Sequence, residues 1–87
     1  MFGEDAYSTL ELKAAALFSS LAQHHPLFDG NERLSWILTL AFLRLNGYRV
    51  VMENDDEFDL VLQVAQRQME LGRIAAVLVR HMVAAGD

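Results

Sequence analysis

The chain has 87 residues, 53 % of them apolar, a formal charge of −5, one proline and no cysteine. That length suits one domain burying only about 60–65 % of the surface it exposes when unfolded, and the composition excludes disulfide-stapled, collagen-like and disordered classes. The acidic balance leaves no basic field with which to bind nucleic acid generally, so any phosphate must be held locally. No apolar run approaches the ~20 residues of a membrane span, and Met1 to Tyr7, carrying Glu4 and Asp5, lacks the basic start and apolar middle of a signal peptide. The expected location is the cytoplasm, with no membrane partner.

After a lead-in over residues 1–8, Ser8 followed by Glu11 has the form of a capping box and predicts a first helix over 9–24. Leu10, Ala14, Leu17, Phe18 and Leu21 share one face, and a further step of four puts His25 at the end of that face, aimed inward. Pro26 stops the helix, and a loop runs through Gly30. A second helix is predicted over 31–46, ended by Asn46 and Gly47. Leu34, Ile37, Leu38, Ala41, Phe42 and Leu45 make one stripe on it, and Trp36, Leu40 and Leu43 load the other side, the pattern of a helix surrounded by others.

Tyr48 to Met52 is β-branched enough to be extended, but a lone run has no strand to pair with and is read as a connection. Asn54 with Glu57 forms a second capping-box pattern, and Phe58, Val61, Leu62, Ala65 and Met69 give a third helix over 55–69 its buried face. Glu70 to Gly72 breaks the pattern. Ile74, Val77, Leu78 and Met82 then mark a fourth helix over 73–84, with Arg80 and His81 near its negative end. The expected fold class is all-α, a compact bundle of about four helices around a central buried one. Most of these apolar positions need no role beyond core packing.

Chemistry concentrates in His25 to Arg33 (HPLFDGNER). A helix N-terminus offers unpaired amides and roughly half a positive charge, a natural seat for phosphate oxygens. Gly30 lets the backbone approach, Asn31 can add a side-chain amide, and Arg33 in the first turn presents a guanidinium able to grip two phosphate oxygens. Asp29 is a hard oxygen ligand suited to magnesium, and equally an N-cap for the second helix. His25, an imidazole whose unperturbed pKa is about 6.5, can take a proton from an incoming hydroxyl. Each residue also has a purely structural use: Gly30 in a turn, Arg33 in a surface ion pair, His25 in packing.

Taken together the run resembles the signature of the Fic and Doc superfamily: histidine, x, phenylalanine, x, acid, glycine, asparagine, x, arginine, opening a buried helix. The similarity is strongest to the death-on-curing (Doc) branch, and it extends to Phe2–Ala15 (FGEDAYSTLELKAA) and Phe42–Tyr48 (FLRLNGY). The resemblance implies a Fic/Doc-like bundle in which His25 is the catalytic or orienting base, Asp29 helps to hold magnesium, Gly30 and Asn31 line the anion hole, and Arg33 clamps nucleotide phosphates. It further implies ATP as substrate with Mg2+. Fic relatives transfer AMP to a protein hydroxyl, whereas Doc toxins transfer phosphate to elongation factor Tu and pair with a Phd-like antitoxin whose disordered tail folds as a helix into a groove.

Four departures refine the expectation. The AMP-transferring pattern has a glycine before its first arginine and a second arginine one turn later, where this chain has Glu32 and Trp36; that disfavours AMP transfer. Doc-like proteins usually carry lysine where Glu32 stands, and one reversed charge pair at ~4 Å and an effective dielectric of about 20 is worth on the order of 4 kcal/mol before desolvation. Leu27 holds the usual phenylalanine position, with Phe28 next to it. Doc relatives usually carry helices before the segment that starts here at Phe2, which predicts uncovered apolar surface and therefore a homodimer or a covering partner. The alternative to a transferase is a Fic-fold binding module that has lost catalysis.

Overall fold

The first helix begins where Thr9 caps it: its Oγ1 accepts from the Leu12 amide at 3.3 Å, and its carbonyl accepts from Lys13 at 3.0 Å. A computed structural model describes residues 9–24 and 31–86, and for His24 and Asn31 the backbone only. Ser8, expected as the cap, lies outside these residues, as do the rest of the 1–8 lead-in and the loop from His25 to Gly30. Among the described residues the elements are α1 (Leu10–His24), α2 (Asn31–Leu45), β1 (Tyr48–Val50), α3 (Asn54–Ala65), α4 (Leu71–His81) and β2 (Met82–Ala84).

The expected all-α bundle is present, with α1 rather than α2 at its centre. Helix α1 packs against α2, α3 and α4. Its inward residues are small: Ala14, Ala15 and Ala22 are buried beside Phe18, so neighbouring backbones approach it from several sides. The core is completed by Trp36 and Leu43 of α2, Leu60 and Val64 of α3, and Ile74, Ala75 and Leu78 of α4. Two buried hydroxyls on α2 are satisfied locally: Ser35 Oγ donates to the Glu32 carbonyl and Thr39 Oγ1 to the Ser35 carbonyl at 2.8 Å. Helical hydroxyls that bond back one turn can sit in an apolar core without an unpaired group.

The stripe expected to bury α2 from its other side is open. Leu34, Ile37 and Leu38 are exposed, and Leu45 is 87 % exposed. Periodicity marks a face as apolar but does not supply a neighbour for it. A similar correction holds for α3, where Leu60 and Val64 are the buried pair and Phe58 and Leu62 point out. Apolar residues there span so much of the helix that two different faces fit the same spacing.

Helix α2 stops as expected, at Asn46 and Gly47. Gly47 takes φ +93°, Asn46 Nδ2 donates to the Phe42 carbonyl at 2.8 Å, and the Gly47 amide donates to the Arg44 carbonyl at 3.0 Å. Helix α3 stops earlier than expected, at Ala65 instead of residue 69. Its end is a Schellman motif: Gln68 N–H donates to the Gln63 carbonyl at 2.9 Å and Arg67 N–H to the Val64 carbonyl at 3.1 Å. Arg67 holds the left-handed position, φ 61°, that glycine usually takes. Gly72 therefore falls inside α4 rather than in the break.

The largest departure is at Tyr48, read from sequence as the start of a connection. Tyr48–Val50 pairs antiparallel with Met82–Ala84, in register Tyr48↔Ala84, Arg49↔Val83 and Val50↔Met82. Bonds from Val51 N to the His81 carbonyl and from Ala85 N to the Gly47 carbonyl, both 2.8 Å, extend the ladder at each end. The expected fourth helix over 73–84 thus ends at His81, where Met82 turns extended at φ −82°, ψ 135°. The ribbon ties the segment after α2 to the C-terminal end of α4.

Candidate functional site

Two of the expected site residues are in view. Asn31 is the first residue of α2, and Arg33 is exposed in its first turn. His25, Asp29 and Gly30 lie outside the described residues, so the expected convergence of imidazole, carboxylate and anion hole is not part of the geometry below. The end of α1 that leads into that loop is anchored: Gln23 Nε2 donates to the Val64 carbonyl on α3 at 3.0 Å. Helix α1 thus ends one residue before the signature, and α2 carries the signature's last three residues, Asn31 to Arg33.

Arg33 stands on the lip of an open groove of about 950 Å3 between the first turns of α2 and the N-terminal half of α3. Trp36, Leu40 and Val61 give the groove its apolar wall, Glu32 lines it beside Arg33, and Asn54, Glu57 and Phe58 line it from α3. Phe58 is 67 % exposed, an uncommon degree of exposure for a phenylalanine. Glu32 is half-buried and shares this groove with the arginine, so the charge reversal read from the sequence falls on the wall where phosphate would approach.

One contact organises the groove. Trp36 Nε1 donates to Glu57 Oε2 at 2.8 Å, and the indole packs on Phe18 of α1 with ring centroids 5.0 Å apart and planes tilted by 46°. A nearly buried tryptophan needs a partner for its N–H, and a carboxylate is the strongest acceptor available. Glu57 is thereby diverted from the capping box expected of it. The N-cap of α3 is Glu53, with no side-chain cap bond, and its carbonyl accepts from Glu57 N at 3.0 Å. Asn54 is already helical. Glu57, Asn54 and Phe58 were not singled out as site residues because nothing local in the sequence links them to the signature 21 or more positions earlier.

Among the described residues no three histidine, aspartate or glutamate side chains come together as a metal centre. What the described part does present is suited to an anion: the start of a 15-residue helix with a guanidinium in its first turn. Also among the described residues, no helix is long and apolar enough to cross a membrane.

The helical bundle and a helix N-terminus preceded by the HPLFDGNER run define the class, and comparison with known proteins agrees. The family model described as Fic/DOC family matches residues 2–43. The chain is also 42 % identical, over an 87-residue alignment, to Toxin Doc of Mycolicibacterium smegmatis (strain ATCC 700084 / mc(2)155), which covers 98 % of this chain and 67 % of the relative. The chain belongs to the Fic/Doc family, in its Doc branch.

Proposed function

We propose that this chain is a Doc-like toxin that binds ATP with magnesium at the N-terminus of α2 and transfers a phosphate to a protein hydroxyl, with elongation factor Tu as acceptor and inhibition of translation as the result. The observation that carries the reading is the placement of the HPLFDGNER run: it ends in the first turn of a helix whose Arg33 edges an open groove, in a chain 42 % identical to a Doc toxin. In this reading His25 takes the proton of the acceptor hydroxyl as the oxygen bonds to the γ-phosphorus, and ADP leaves with the bridging oxygen. Arg33, Asn31 and the first amides of α2 hold the phosphate oxygens in place. Magnesium, held through Asp29 and the phosphates, supplies charge neutralisation when bound. A Phd-like antitoxin is the expected restraining partner, and the cytoplasm the expected compartment.

Incubating the chain with elongation factor Tu, ATP and magnesium, followed by mass spectrometry of the factor, tests this directly. A gain of one phosphate that His25→Ala abolishes is the expected result. A gain of AMP assigns Fic-type transfer instead, and an unmodified factor refutes the assignment of this acceptor.

One observation favours a second reading, a binding module without catalysis. Glu32 lies beside Arg33 on the groove wall, where a carboxylate opposes a bound phosphate. Calorimetry separates the two: magnesium-dependent ATP binding by the unaltered chain supports the transferase, and its absence supports the module.

A further inference from the structure

The first amides of a helix have no partner in their own ladder, so the exact place of its opening residues depends on the side chains that fasten them. At the start of α2, Arg33 and Leu34 are exposed, and the buried Ser35 hydroxyl donates back to the Glu32 carbonyl of its own helix. Among the described residues Trp36 is the first large side chain of α2 to be buried, and it is held on two sides. Its ring packs on Phe18 of α1. Its Nε1 donates to Glu57 Oε2 in the one side-chain hydrogen bond that joins α2 to α3 among the described residues.

Trp36 follows Arg33 by three residues, and both line the groove. At that spacing the two side chains leave the helix about 60° apart in direction and about 4.5 Å apart along its axis. A helix about 10–12 Å across carries its side-chain ends about 6 Å from the axis, so a rotation of about 10° moves the Arg33 guanidinium by about 1 Å. A misplacement of about 1 Å can cost up to about 100-fold in rate where a site works by position. The anchor of Trp36 therefore bears on Arg33. Charge alone would make Glu57 unfavourable to a phosphate held by Arg33, since like charges repel. The geometric effect has the opposite sign, so experiment separates the two.

We propose that Glu57 is a positioning residue for the phosphate site: by accepting from the Trp36 indole it fixes the rotation of α2 and with it the place of Arg33. The inference rests on the reading of Arg33 as a phosphate clamp, and adds to it a residue of α3 that acts through Trp36 and Arg33.

Calorimetric titration of the full chain with ATP and magnesium tests it, at a temperature where far-UV circular dichroism shows each variant folded. Glu57→Ala should weaken binding about three- to tenfold, no more than the loss of Arg33 itself. Glu57→Gln keeps an oxygen acceptor for the indole and should bind within about twofold of the unaltered chain. Trp36→Phe, which keeps a ring on Phe18 and removes the donor, should weaken binding as Glu57→Ala does. In an Arg33→Ala background Glu57→Ala should weaken binding no further, because the effect runs through the arginine. Trp36 is the single tryptophan, so its fluorescence reads the anchor directly: the emission should move to the red in Glu57→Ala and stay in place in Glu57→Gln. Unchanged binding in Glu57→Ala overturns this inference alone, and so does a loss in Glu57→Gln equal to that in Glu57→Ala. Tighter binding by both Glu57 variants assigns the carboxylate a purely repulsive role and also overturns it, as does an undiminished loss once Arg33 is removed. Absence of magnesium-dependent ATP binding by the unaltered chain overturns the phosphate reading, and this inference with it.

Discussion

Replacing Glu57 by alanine removes the acceptor of the Trp36 indole, and its cost follows from the geometry of that pair. The N–H···O distance is 2.8 Å and Trp36 is 5 % exposed, so the indole has little water to turn to once the carboxylate is gone. Hydrogen bonds to charged groups contribute about 1.5–3 kcal/mol, and the half-buried position of Glu57 places the expected loss near the lower bound, about 1.5 kcal/mol. In a domain whose total stability is about 4–13 kcal/mol, that loss lowers the melting temperature by roughly 6–12 °C. Glu57 also sits in the first turn of α3, where any acid gains about 0.3–1 kcal/mol from the helix dipole. A double-mutant cycle with Trp36→Phe, read by urea unfolding, removes that contribution and should leave a coupling of about 1 kcal/mol. Asn54→Ala is the control, expected within about 0.5 kcal/mol of wild type because Asn54 makes no cap bond. Additive single mutants, or an Asn54→Ala loss equal to that of Glu57→Ala, would refute the pairing and restore the capping box.

Leu43→Ala removes a fully buried side chain from the inner face of α2 and should cost about 2.7–5 kcal/mol by thermal or chemical denaturation. Arg67→Gly relieves a left-handed arginine at the Schellman position and should stabilise the fold by roughly 0.5–1 kcal/mol in the same assay. Gly47→Ala should destabilise by about 1 kcal/mol through backbone strain at φ +93° alone, since a Cβ there meets nothing within 4 Å. For the groove, Arg33→Ala should weaken ATP binding at least tenfold by calorimetry, and Glu32→Lys should strengthen it or leave it unchanged.

The division between sequence and tertiary structure is clear at particular residues. The four helices were legible because their signals are local: apolar positions at helical spacing, Pro26 before α2, and Asn46 with Gly47 at its end, where the glycine does adopt the left-handed backbone. The HPLFDGNER run and its position before α2 were legible for the same reason, and so was the family. The pairing of Tyr48–Val50 with Met82–Ala84 joins segments 32 or more positions apart, and a strand is stable only with a partner that no local pattern names. The diversion of Glu57 from a cap to the Trp36 indole was equally hidden, because local capping competes with a tertiary acceptor that exists only once α2 and α3 meet. Periodicity likewise declared both faces of α2 apolar, and only the packing of small alanines along α1 decided that the Leu43 face would be buried and the Leu38 face left open. Sequence determines which surfaces avoid water, and the assembled bundle decides which of them find one another.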